Sequence, residues 1–384
     1  MRRTKRLRVK RLAALLLSLC LAAAAAGCHT TGGGTHQDPG GESDGAQRLQ
    51  VVTTVFPQYD FARAIAGEEA DVTMLLRPGE EIHSYEPTPR DIMTIQNCDL
   101  FIYVGGENDV WVDRILGNMG TGRPGTLRLV DLVDTVAEEH VEGMMPERGG
   151  HSHEGHEQDE EEQGSHDHGE AEPDDHDHGE EEHGDHDHDA SAVPGGDSSH
   201  EEHGEADEHV WTSPRNAARI TAEIAEAMCA LDPVHAEVFA ENAEAYEAEI
   251  LALDEEYRAL ADSAVRKTIV FGDRFPIRYF AQEYGLTYYA AFPGCSSESE
   301  PSAATLAFLI DKVRDERIPV VFSIEFSTGS IARAICESSG AQQRVFHTCH
   351  NVTRDEFESG ATYVSLMRGN MEGVREALCG GTAD

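Results

Sequence analysis

LQVVTTVFPQYDFARAIAGEEADVTMLL, residues 49–76, decides the fold class. Its first eight residues, 49–56, are short and rich in Val and Thr, which suits a strand. QYDFARAIAG (58–67) then places Phe61, Ala64 and Ile65 at helical spacing, and DVTMLL (71–76) is a second strand. Working outward, TPRDIMTIQN (88–97) is a second helix and DLFIYVGG (99–106) a third strand. Strands alternating with helices imply a parallel sheet covered by helices. The pattern returns in the second half. KTIVF (267–271), LTYYAAF (286–292), PVVFSIE (319–325) and QRVF (343–346) read as strands, with helical patterns at 275–284, 302–315, 328–339 and 362–378. Between the halves, Ser213 caps a helix that opens with Pro214 and carries Ile220, Ile224 and Met228 on one face. Asp232-Pro233 repeats the cap signal. It opens a longer run, Phe239, Ala243, Tyr246, Ile250, Leu253, Tyr257 and Leu260, in a helix roughly 40 Å long. The expected fold is α/β: two lobes, each a mainly parallel sheet flanked by helices, joined by one long rigid helix. The expected boundaries are 49–232 for the first lobe, 233–263 for the linker helix and 266–384 for the second lobe. The cleft between lobes is the default ligand site.

The chain has 384 residues, with 72 Asp+Glu against 30 Lys+Arg, a formal charge of −42. So acidic a protein is unsuited to nucleic acid, whose phosphates need a basic surface, and better suited to cations. Residues 151–203 hold 21 Asp+Glu, no Lys or Arg, and 12 of the 20 His. His-Asp-His recurs with a ten-residue period, at His166 and His168, His176 and His178, and His186 and His188. A repeat this polar has no face to bury, so the insertion 148–205 is expected to be disordered. These six His are expected to serve as auxiliary metal ligands. At the other end, a basic stretch from Arg2 to Arg11 precedes an apolar run, Leu12–Ala26, too short to span a bilayer. It reads as a signal peptide, 1–27. Small residues before Cys28 resemble a bacterial lipobox, so Cys28 is the expected lipidation site and 28–48 a flexible tether.

His83 follows a strand and precedes a helix; His209 lies where the acidic tract meets the ordered fold; His347 and His350 follow the strand QRVF. Imidazole is the commonest metal ligand, and three from separate loops suit zinc. Cys295 and Cys349 each follow a strand of the second half and are a candidate disulfide, with a thiolate ligand as the rival reading. No HExxH, GxSxG or P-loop supports an enzyme.

Several segments together resemble the solute-binding lipoproteins of zinc- and manganese-type ABC importers. They are VVTTVFPQYDFARAIAG, the PG…HSYEPTPRDI run, FIYVGGENDVWVD, DEHVWTSPRNA, RYFAQEYGLTYYA, ESEPS, FSIE and YVSLMRGNMEGVREAL. The resemblance implies a periplasmic-binding-protein-like fold with metal in the cleft and a His-rich loop before the second ligand, as in the zinc branch. Carried over, His83 is the first ligand, His209 the second and His347 the fourth, with His350 as its rival. Gly272 stands where the third ligand is expected, so Asp273 or Glu325 or water is left to complete the set. The implied cargo is Zn2+, with Mn2+ as the alternative. The implied partners are an ABC permease and, through the lipid, the outer face of the cell membrane. A surface metal buffer or adhesin and a zinc hydrolase are the competing readings.

Overall fold

The computed structural model describes residues 48–81, 85–106, 109–120, 122–144, 206–294 and 300–380. Cys28, His83, Cys295 and all six His of the repeat lie outside them. The described residues fall in one unit of the chain, Arg48–Asp384.

The first lobe is built on β1 (Leu49–Thr53), α1 (Phe56–Ala66), β2 (Ala70–Met74), α2 (Pro89–Gln96), β3 (Leu100–Tyr103), α3 (Val110–Asn118) and β4 (Gly125–Arg128). Its four strands are all parallel, in the order β2-β1-β3-β4. The second lobe holds β5 (Thr268–Phe275), α6 (Arg278–Glu283), β6 (Thr287–Pro293), α7 (Ala303–Asp315), β7 (Val320–Ile324), α8 (Ser330–Ser339) and β8 (Gln342–Phe346). Its strands are also parallel, in the order β6-β5-β7-β8. Both sheets therefore follow one topology, second-first-third-fourth. Central strands such as β3 (LFIY) and β7 (VVFSI) are buried along their whole length, as strands covered on both faces must be.

Between the sheets lie α4 (Pro214–Leu231) and the 27-residue α5 (Ala236–Asp262). Ser213 caps α4 as expected, its hydroxyl accepting the Asn216 N–H. Asp232-Pro233 does not start α5. The Asp232 carboxylate instead accepts the Val234 and His235 N–H groups in a turn, and the helix begins at Ala236. The apolar stripe of α5 is buried from Phe239 to Leu260. Its two halves are fastened to different lobes. Asn242 donates to the Ile65 carbonyl of α1, and Tyr257 donates to the Met367 carbonyl. After α9 (Arg354–Glu358), the pattern at 362–378 is not one helix but two, α10 (Tyr363–Gly369) and α11 (Met371–Cys379). The last two break at Asn370, whose amide grips both backbone groups of His347.

The insertion is rooted in the fold on both sides. Ala137 and Ala206 form an antiparallel bridge, and Asp207 N–H donates to the Val136 carbonyl. Among the described residues, no helix is long and apolar enough to cross a membrane.

Candidate metal centre

His209 lies just before a 3-10 turn, Val210–Thr212, and is fully buried. Asp207 fixes it twice. One carboxylate oxygen accepts the His209 backbone N–H at 2.8 Å and lies 3.0 Å from ring Nδ1. With Nδ1–H donated to a carboxylate, the Nε2 lone pair is free, and Nε2 is buried with no protein partner. An orphaned buried nitrogen is costly unless a partner fills the place, and a lone pair held this way is the kind a metal ion accepts. Burial opposes charging this ring, but Asp207, aided by Glu208 and Glu138, outweighs it and raises the pKa.

His350 stands against His209, ring centroids 4.6 Å apart and nearly perpendicular. Trp211 backs both rings, 4.9 Å from His350 and 5.7 Å from His209, and its indole N–H donates to the Thr348 carbonyl. The chain reaches this position through Cys349, a non-glycine residue with φ of +64°. That left-handed step turns His350 away from the path of His347.

The Nδ1 of His347 accepts the Cys349 N–H at 3.0 Å. Its Nε2, like that of His209, is buried with no protein partner. Of His347 and His350, His350 is the one whose ring stands against His209. Asp273 spends its oxygens on the N–H groups of Arg274 and Ile324. Glu325 lines the cleft but holds the Thr348 N–H and hydroxyl. Among the described residues, no three His, Cys, Asp or Glu side chains converge as a metal-binding group.

Of the expected Cys295–Cys349 pair, Cys295 lies outside the described residues. Cys349 is a free thiol, buried in the main core, where burial pushes its pKa up. Its left-handed backbone turns the sulfur into that core and the following imidazole toward His209. Cys98, Cys229, Cys336 and Cys379 are also free.

Three contributors were not read from the sequence. Asn351 donates its amide to the carbonyls of Arg77 (2.7 Å) and Glu80 (2.8 Å), clasping the first-lobe loop that leads to His83. Gly79 N–H donates to the Val352 carbonyl beside it. Gly294 packs on the His209 ring, where an added Cβ would lie 3.3 Å from Cε1. Arg274 reaches the cleft from β5. An Asn after a His, a lone Gly and a strand-end Arg carry no pattern that marks them in advance. Together Glu80, Glu81, Arg274, Glu325 and His350 line a narrow, solvent-open cavity.

The loop at the end of β3 supplies further acid. Gly105 and Gly106 have φ of +87° and +97°. A side chain at Gly106 would collide with the Glu208 carboxylate. Asp109 accepts the N–H groups of Val104 and Gly105 at 2.8 and 2.9 Å. Burial first, then the Glu208 charge, push its pKa up to about 6.

The family described as zinc-uptake complex component A, periplasmic, matches residues 51–377. The chain is 29% identical over 336 residues to the zinc-binding lipoprotein AdcA of Streptococcus pneumoniae, covering 87% of this chain and 56% of that protein. It thus spans about half the length of that relative. It is also 29% identical over 348 residues to the high-affinity zinc uptake system protein ZnuA of Bacillus subtilis, covering 90% and 92%. Among solved structures, the metal-dependent lipoprotein YcdH of Bacillus subtilis superposes with a TM-score of 0.63 at 25% identity, over 86% of this chain and all of that one. The Zn(II)-bound ZnuA-like domain of Streptococcus pneumoniae AdcA gives 0.61 at 24%, over 86% and 99%, and bears on the fold alone.

Proposed function

Because the chain belongs to the zinc-uptake complex component A family, we propose that it captures Zn2+ outside the cytoplasm and delivers it to an ABC permease for import. The observation that carries this reading is the buried, unpartnered Nε2 of His209 beside the ring of His350. In this reading His209 and His350 are two ligands and His83, three residues beyond the clasped Glu80, is the third. The fourth place is left to water, or to a carboxylate of the cavity. Three imidazoles favour zinc over manganese, which prefers more oxygen. Cys28 carries the lipid that holds the mature protein at the outer face of the membrane. The His-rich repeat gathers zinc near the cleft. No group is assigned a catalytic role.

The test is metal stoichiometry by elemental analysis with competition titration. It compares the mature protein, a variant lacking 148–205, and His209→Ala, His350→Ala and His347→Ala in that variant. One tight zinc surviving the deletion and His347→Ala, and lost or weakened at least tenfold in the other two, supports the reading. No tight zinc without the insertion would overturn the cleft site. The protein would then be a metal buffer.

A further inference from the structure

The cavity beside His350 contains a cation of the protein's own. We propose that Arg274 is a tethered counter-cation that competes with the metal for the acidic cleft and sets its affinity and release; this rests on the zinc-binding reading above.

The placement is built by the fold. Along β5, Phe271 pairs with Ala290 and Arg274 with Phe292, so three steps on one strand meet two on the other. The extra residue is a bulge, and a bulge re-aims the side chains that follow it. Asp273 locks it, with one oxygen on the Arg274 N–H at 3.0 Å and the other on the Ile324 N–H at 3.4 Å. Arg274 is thereby delivered to the cavity, where its guanidinium lies 3.3 Å from the Glu81 carboxylate of the opposite lobe. The Arg274 side chain is only 19% exposed. It is the only Lys or Arg among the described residues that line the cavity.

A guanidinium cannot bind a metal and cannot lose its charge at any working pH. In a cavity that Glu81, Glu325 and His350 also line, it does two things. It neutralises carboxylate charge that would otherwise draw a dication, and it repels the dication directly. The bond to Glu81 also spans the cleft, so the arginine can hold the lobes together while metal is absent. A site meant to hold zinc as tightly as possible would have no use for it. A site that must give zinc up has one.

The experiment measures zinc affinity by competition with a fluorescent chelator, and dissociation by stopped-flow chelator chase, in the mature protein lacking 148–205. Arg274→Ala is expected to tighten zinc by at least about tenfold, with a correspondingly slower dissociation. Arg274→Lys, which keeps the charge, should stay within about threefold of the parent. Arg274→Gln runs alongside as a milder truncation, and the metal-free melting temperature of each variant reports folding. Folded Ala and Gln variants with unchanged or weaker zinc binding overturn the proposal. Tight zinc in the parent that is lost in His209→Ala would then leave the functional reading standing. A parent that binds no zinc while Arg274→Ala binds one supports the role of Arg274; absence of zinc in both overturns this proposal and the functional reading together.

Discussion

Two carboxylates near the cleft do opposite things with their charge. Asp207 is useful ionised, because it orients His209 and raises the basicity of Nε2. Asp207→Asn keeps the shape but exchanges a charged acceptor for a neutral one. We expect zinc affinity to fall by roughly 10- to 100-fold, read by chelator competition, with the metal-free melting temperature little changed. Asp109 is costly ionised. Its pKa rises from the ordinary 3.8 to about 6 in the fold, chiefly through burial. The native state therefore holds its proton more tightly than the unfolded chain, and stability falls as pH rises from about 4 to 6. Asp109→Asn lacks that loss. Its stability relative to the parent should rise across this window and level off above it, by no more than about 3 kcal/mol. Urea unfolding at a series of pH values measures it. An advantage that is flat with pH would mean that Asp109 does not titrate there.

At the scale of elements, the buried Asp254 is the knot between α4, α5 and α6. It accepts bonds from Arg215 at 3.1 Å, Arg258 at 3.2 Å and the Tyr284 hydroxyl at 3.0 Å. Arg215 and Arg258 can turn to water when the acid is removed, but Tyr284 cannot. Asp254→Ala should cost about 2–3 kcal/mol in urea unfolding of the metal-free protein. The elements themselves were legible where a buried face leaves a period in the sequence. The strands and the stripe of α5 are such cases. What went unread lacked that signature. β4 is an edge strand with three of its four residues, Gly125, Thr126 and Arg128, exposed, and α9 buries no residue. The break at Asn370 is set by a tertiary contact with His347, which no local pattern encodes. The site divides in the same way. The DEHVW segment marked His209, but which of His347 and His350 stands beside it depends on one left-handed residue, Cys349, and on the Trp211 indole. Two imidazoles three residues apart in a loop look equivalent until the backbone between them is known.

At the scale of the whole molecule, charge is the dominant property. A formal −42 surrounds the described fold and its insertion with a field that concentrates cations near the surface. Salt screens it over about 8 Å at physiological strength. Zinc association should therefore slow by on the order of tenfold between 20 and 500 mM salt, while dissociation changes less than about twofold. Removing 148–205 should flatten that dependence. Stopped-flow measurements separate the two rates, and a salt effect carried by dissociation would contradict this account.

One of the places where the lobes meet is the Asn351 clasp, where one amide holds two carbonyls of the facing loop. Against water, each such bond is worth only about 0.5–1.5 kcal/mol. The clasp therefore weights closure by tens, not by millions. With the Gly79 N–H bond to Val352 and the Arg274–Glu81 pair beside it, a few bonds of that size hold this loop, and its parting is expected to be seen as hydrogen exchange at Gly79 faster than in the central strands.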